Sequence, residues 1–330
     1  MKREVRMKAV IPVAGQGTRL RPHTHTVPKA MLHVAGKTII EYIIAEVSAV
    51  EPDEYIFIIG YLGDKLRTFL EKKIQKPVRF VVQKEMLGIA HALREARDYL
   101  KDGPFLIVLG DTIFQADLKR IVKRGVSAIG VRVVDDPRRF GVVVLDGERV
   151  IKLVEKPQTA VSTLAIAGVY YISDPELLVK CINRIVDEDV KTRGEYQLTD
   201  ALQLMVDAGH EIETFPIEGW FDCGEPSALL ETNRALLARV EEVPKRPGSI
   251  IIPPVWIDDS AAIQNSIIGP NVSVAGGAII KDSIVRDSIV SEYAAVENLI
   301  LQRSIIGDRA TTQGRPASLN VGDSSQVELA

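Results

Sequence analysis

Between residues 8 and 32 the chain reads KAVIPVAGQGTRLRPHTHTVPKAML, and this stretch holds the densest set of groups able to handle phosphate. The run 8–13 is brief, apolar and β-branched, which predicts a buried strand ended by Gly15 and Gly17. Two glycines so close let the backbone turn sharply and bring its N–H groups to a ligand. Arg19, Arg21 and Lys29 add cations around the same loop. Two familiar phosphate loops are excluded by spacing. A dinucleotide fingerprint needs a third glycine where Leu20 stands, and a P-loop ending at Gly36, Lys37 and Thr38 needs one where Met31 stands.

The elements that must position this loop follow in alternation. Ile39, Ile40, Ile43, Ile44 and Val47 fall on one helix face, so 37–50 reads as a helix packed on a sheet. Strands are expected at 55–59, 78–82 and 105–109, with helices at 62–73 and 88–100 between them. In an open parallel sheet ligands gather beyond the carboxyl ends of strands, so the loop after the first strand and Asp111 after the fourth should face one crevice. From 126 the texture shifts to successive strands at 126–134, 142–145, 149–154 and 164–172, which predicts a mixed sheet. Helices at 175–186, 196–208 and 226–240 and a strand at 212–217 close this part.

The phrase G-x-G-T-R-L-x-P-x-T followed by P-K is carried by Gly15, Gly17, Thr18, Arg19, Leu20, Pro22, Thr24, Pro28 and Lys29. It resembles the signature of the sugar-1-phosphate nucleotidylyltransferases, which make nucleotide sugars and release pyrophosphate. The resemblance runs over about 7–240 and implies an α/β fold: a Rossmann-like domain with a mixed, mostly parallel sheet. It also implies that a sugar-1-phosphate oxygen attacks the α-phosphorus of a nucleoside triphosphate. Two polyanions must meet for this, so positioning and charge neutralisation should dominate catalysis.

By that resemblance the catalytic cations are Arg19 on the triphosphate and leaving pyrophosphate, Lys29 on the α-phosphate, and Lys156 on the sugar phosphate. Ala14, Gly15, Gly17 and Thr18 join Arg19 in the nucleotide site. Gln83 would pair with the base, and Gly88 in LGIAHA would let the ring lie close. A glutamine amide complements the O4 and N3–H edge of uracil or thymine, which favours UTP or dTTP. Gly141, Glu155, Lys156 and Gly168 match the sugar side. Asp111 in VLGD and Asp222 in GWFDCG match metal ligands, and two carboxylates with phosphate oxygens suit Mg²⁺. Ala167 replaces a residue that is polar in many relatives, which leaves the sugar open among glucose-, mannose- and N-acetylglucosamine-1-phosphate. Glu195 and Asp200 match a family phrase too, but a helix start accounts for them.

Beyond the proline-bearing linker 243–248 the sequence repeats a short phrase: NSIIG at Asn265, DSIV at Asp282 and Asp287, NLIL at Asn298, RSIIG at Arg303. Apolar residues recur six apart at Ile268, Val274 and Ile280, and again at Ile284, Val290 and Val296. This predicts a left-handed parallel β-helix of three or four stacked hexapeptide coils, a frequent appendage of the family. The domains are thus 1–242 and 243–330, with 316–330 a cap or loose tail.

With 330 residues, 26% charged and a net charge of −3, the chain reads as globular and lacks the basic excess that nucleic-acid binding needs. No apolar run reaches the ~18 residues of a spanning helix, and the start is not signal-like, so no membrane partner and a cytoplasmic place are expected. Cys181 and Cys223 lack metal or disulfide spacing and read as buried small residues; His23, His25, His33, His91 and His210 form no triad or metal set. No histidine follows His210, which argues against an acyl-transferring β-helix and for an assembly surface in a homo-oligomer. A scaffold without catalysis has no need of Arg19, Lys29, Asp111 and Asp222 together.

Overall fold

The structure is a computed structural model that describes residues 7–315, so the expected cap or tail at 316–330 lies outside the described residues. It forms two compact units, one of residues through His33 with Lys37–Thr232, the other of Val34–Gly36 with residues from Asn233 on. The division falls inside a helix, ahead of the proline linker at 243–248. Asn233 accounts for this: its Oδ1 accepts from Ala35 N at 2.9 Å and from the Ser273 hydroxyl at 2.8 Å, all within the second unit.

Along the chain β1 (Lys8–Pro12), the two-residue strands β2 (His33–Val34) and β3 (Lys37–Thr38), β4 (Glu54–Ile59), β5 (Val78–Val82) and β6 (Phe105–Val108) alternate with α1 (Ile39–Ser48), α2 (Gly63–Lys73) and α3 (Ile89–Glu95). Next come β7 (Thr112–Gln115), α4 (Leu118–Arg124), β8 (Ser127–Val133), β9 (Gly141–Asp146), β10 (Arg149–Glu155) and β11 (Leu164–Ile172). The series ends with α5 (Pro175–Asp187), α6 (Leu198–Asp207), β12 (Ile212–Pro216), β13 (Gly219–Asp222) and α7 (Pro226–Leu237).

Nine strands join one sheet in the order β5-β4-β1-β6-β11-β8-β12-β10-β9. Seven run one way and only β10 and β11 oppose them, so the sheet is mixed and mostly parallel, as expected. Val10, Ile56, Ile58, Phe105 and Ile107 pack with Leu93, Ile182 and Leu202 from α3, α5 and α6 in one core. The intervening Ala9, Ile11, Phe57 and Leu106 are also buried. A sheet covered on both faces requires such continuously apolar strands, and burying each large side chain is worth about 1.5–3 kcal/mol.

Because β1 and β6 are parallel neighbours, their carboxyl ends emerge side by side, and Gly110 N bonds Pro12 O at 3.1 Å across them. β7, α4 and β13 escaped the sequence reading. They are short, and β7 and β13 pair only with each other. That pairing sets Asp222 opposite Thr112, next to Asp111.

In the second unit, three parallel sheets of four strands each are built from every third strand of the chain. Ile250, Ile267, Ile284 and Ile300 stack in register, at spacings of 17, 17 and 16 residues. The strands thus form four successive turns of one stacked coil, consistent with the expected β-helix. A turn is shorter than three full hexapeptides, which corrects part of the repeat assignment. Ile268, Val274 and Ile280 are wholly buried, but the next turn buries Val285, Val290 and Val296, while Ile284 is half-buried on the outer side. Positive-φ corners at Asn265, Asp282, Asp287 and Asn298 turn the chain between sheets, and asparagine and aspartate tolerate that conformation best among non-glycines.

At the start of α1, Thr38 Oγ1 accepts from Glu41 N while Glu41 Oε2 accepts from Thr38 N at 2.9 Å, a reciprocal cap. Thr38→Ala should therefore lower unfolding free energy by about 1 kcal/mol in denaturant titration of the intact protein, and a zero shift would show the cap contributes nothing.

Candidate active site

The loop after β1 divides into anchors and presented groups. Leu20 is 0% exposed and Thr24 1%, with the Thr24 hydroxyl donating to Gly17 O at 2.8 Å. Tyr61 donates to His25 O at 2.9 Å and Lys65 to Thr26 O at 2.7 Å, tying the outer part of the loop to the start of α2. Between these anchors Gly15, Thr18, Arg19 and Arg21 stay exposed. Gly17 takes φ 62°, a left-handed conformation that makes the sharp turn the sequence suggested, whereas a Cβ on Gly15 would meet nothing within 4 Å. The protein itself thus sets no steric demand at Gly15, and its missing side chain leaves room at the loop surface.

Two cavities open beside this loop. The first, of about 430 Å³, is lined by Ala14, Gly15, Gly17, Thr18, Arg19, Lys29, Gln83, Gly88 and Asp111. The second, of about 410 Å³, is lined by Gly141, Glu155, Lys156, Gly168 and Asp222. Arg19, Ile89, Leu109, Asp111 and Glu195 line both. Every residue singled out for catalysis, nucleotide, sugar or metal therefore lies on one of two adjoining cavities.

At their junction Lys29 Nζ donates to Asp111 Oδ2 at 2.8 Å. Burial opposes ionisation of Asp111, but Lys29, the Thr112 hydroxyl and Arg19 outweigh it and hold the carboxyl below the usual aspartate range. The Asp111 side chain keeps 45% of its surface open, so its surroundings are those of a cavity wall rather than a core. Cys223 N bonds Asp111 O at 3.2 Å, and Asp222 Oδ1 accepts from Gly224 N at 2.8 Å, which fixes the second acid beside the first. No cluster of three or more His, Cys, Asp or Glu able to hold a metal occurs among the described residues. Two hard carboxylates on a cavity wall fit Mg²⁺ shared with phosphate oxygens, and do not make a dedicated protein cage.

On the second cavity Glu155 is 10% exposed at its side chain, accepts from the Thr199 hydroxyl at 2.8 Å, and has Lys156 Nζ 3.5 Å away. Lys156 adopts φ 43°, costly for a non-glycine, and is held there by its N–H on Phe140 O at 3.0 Å and by Arg193 donating to its carbonyl at 2.6 Å. Gly168 sits where the β8–β11 register shifts, and its carbonyl accepts from Leu109 N at 2.9 Å. Asp200 lies in the first turn of α6, and burial followed by Glu155 raises its pKa. Both cysteines are buried and free, and burial pushes the Cys223 thiol up to about 12.

Two details differ from the sequence reading. Gly88 takes φ 108°, and a Cβ there would stand 2.5 Å from Tyr196 O; backbone packing against Tyr196 is thus sufficient reason for the glycine, without a nucleotide ring. Gln83 donates its amino group to Gly88 O at 3.2 Å and to His91 Nδ1 at 3.3 Å, so toward the cavity it offers an acceptor rather than a donor and an acceptor. Glu195, which the sequence reading assigned to a helix start, lies ahead of α6 on the shared wall, and Arg139, Thr199 and Trp220 on the second cavity were missed. The match of Glu195 to the family phrase was the available signal for it; the others come together only through the fold.

Comparison with known proteins gives the family. The chain matches the Nucleotidyl transferase family over residues 8–239. Two relatives named glucose-1-phosphate thymidylyltransferase are similar, one from Streptomyces griseus (29% identical, 98% of this chain and 99% of that one) and one from Streptomyces antibioticus (32%, 84% and 81%). Mannose-1-phosphate guanylyltransferase 1 of Arabidopsis thaliana is 31% identical over 92% of this chain and 87% of its own. A crystal structure of a Bacillus anthracis protein assigned as a glucose-1-phosphate thymidylyltransferase superposes with TM-score 0.62 at 27% identity, covering 72% of this chain and 98% of that one. The chain belongs to the sugar-1-phosphate nucleotidyltransferase family and is an enzyme of nucleotide-sugar biosynthesis.

The loop anchors can be tested without reference to substrate. Thr24→Val, which removes the bond to Gly17 O, should cost about 1 kcal/mol of stability, and Leu20→Ala about 2–5 kcal/mol. Equal and negligible losses in denaturant titration would contradict the division into anchored and presented residues.

Proposed function

We propose that the enzyme transfers the nucleotidyl group of dTTP or UTP to a sugar-1-phosphate, glucose-1-phosphate first among them, and releases pyrophosphate. The observation that carries this reading is the pair of adjoining cavities with Arg19 and Asp111 on their common wall. The first would take the triphosphate on the basic loop, and the second the sugar phosphate. A phosphate oxygen of the sugar then faces the α-phosphorus, forming one P–O bond as the bond to the pyrophosphate breaks.

Arg19 would steady the leaving pyrophosphate, and Lys29 would neutralise the α-phosphate oxygens. Lys156 would pair with the incoming phosphate, and Glu155 would accept from sugar hydroxyls. Backbone at Ala14, Gly15, Gly17 and Thr18 would cradle the phosphates, with Gly88, Gly141 and Gly168 shaping the two walls. The Gln83 acceptor suits the N3–H of uracil or thymine. Asp111 and Asp222 would hold Mg²⁺, which when bound supplies further charge neutralisation across the phosphates. The stacked coils between Ile250 and Gln313 would be a left-handed β-helix whose flat faces suit a homo-oligomer, and the enzyme would act in the cytoplasm without nucleic-acid or membrane partners.

The test crosses UTP, dTTP, CTP, ATP and GTP with glucose-, mannose- and N-acetylglucosamine-1-phosphate, reading pyrophosphate with Mg²⁺ or with chelator. Release with UTP or dTTP and metal, strongest with glucose-1-phosphate, is expected; release only with GTP would refute the proposed nucleotide, and release only with ATP or CTP would also refute the reading of Gln83. Arg19→Ala should lower kcat/KM by about 10²- to 10³-fold, the loss seen when one transition-state donor is removed. Asp111→Asn should abolish turnover while circular dichroism stays unchanged, and full turnover by that variant would remove the metal role.

A further inference from the structure

We infer that His91 is a positioning residue that sets the nucleotide preference by fixing which atom of Gln83 faces the base. The inference rests on the reading of Gln83 as the base contact. His91 does not line the first cavity, which Gln83 does; it lies in the first turn of α3, with its side chain 14% exposed.

The chemistry of the contacts is one-directional. An amide nitrogen only donates, so in the Gln83 Nε2 contact at 3.3 Å His91 Nδ1 is the acceptor. The Glu95 carboxylate lies 3.9 Å from the other ring nitrogen, Nε2. The second amide hydrogen goes to Gly88 O at 3.2 Å, and an amide turned the other way would set its oxygen against that carbonyl. With both hydrogens engaged and Gln83 only 5% exposed, Oε1 is what remains for a ligand.

An acceptor on the wall pairs with an imino N–H, present in uracil, thymine and guanine, and repels the bare ring nitrogen that cytosine and adenine present at the same edge. Selectivity then depends on holding the amide in one of two nearly isosteric orientations. The ring itself is held separately: it stacks on Tyr196 at 6.3 Å between centroids and 22° between planes. His91→Phe therefore removes the accepting nitrogen and keeps the aromatic packing, while His91→Asn places Oδ1 where Nδ1 was.

The test is the Kd of UTP and of CTP, which differ only at the base edge, measured by calorimetry on the full-length protein and four variants. In His91→Phe the preference for UTP over CTP should shrink roughly three- to tenfold, the worth of one neutral hydrogen bond, with Gly88 O still holding the amide in part. His91→Asn should restore it. If His91→Phe does not fold, His91→Leu serves as the acceptor-free variant. An unchanged UTP:CTP ratio in the acceptor-free variant, with Gln83→Leu collapsing that ratio, overturns the role of His91 alone. An unchanged ratio in Gln83→Leu overturns the base contact on which the inference stands.

Discussion

The constraint on which the site depends is that β1 and β6 are parallel neighbours whose ends emerge together. One end delivers the basic loop and the other Asp111, and the 2.8 Å contact from Lys29 joins them. Bringing two anionic substrates together is an electrostatic problem, and a wall carrying fixed charges of both signs in a partly dry cleft is a general answer to it. Arg19 and Lys29 supply cations and Asp111 and Asp222 supply carboxylates, all from loops and short strands that a covered sheet holds in place. A net charge of −3 over the whole chain hides this local concentration.

Strain and burial are arranged around the same place. Lys156 is kept at a positive φ by two hydrogen bonds, so its ammonium is aimed by backbone geometry rather than by rotamer preference alone. Leu20 and Thr24 belong to the signature without being presented to a ligand. They are the buried footing of the loop, and a motif of this kind mixes residues that anchor with residues that act. Burial, with Glu155 and Asp111 nearby, pushes the Tyr170 phenol on the second cavity well above its ordinary range.

Much of this was legible in the sequence, because the signals were local. The β-branched run of β1, the one-sided isoleucines of α1 and the repeated phrases after 243 each report a period or a turn that needs no tertiary information. The mostly parallel sheet followed from the family resemblance, and the convergence of Arg19 with Asp111 from the rule for strand ends. What was not legible is of another kind. β7 and β13 are four-residue strands stabilised by each other, and the length of the coil turn depends on how tightly its corners close. The donor state of Gln83 depends on Gly88 and His91 together, and the packing that leaves no room for a Cβ at Gly88 comes from Tyr196, more than a hundred residues away in sequence.

The central claim is that one cleft receives the two substrates on either side of the wall made by Arg19 and Asp111. The most direct measurement is a crystal structure of the enzyme with its nucleotide-sugar product. The account predicts the base against Gln83, the sugar between Gly141 and Glu155, and the diphosphate crossing between Arg19 and Asp111. A product bound with its sugar on the Gln83 side, or with its diphosphate away from the basic loop, would contradict it.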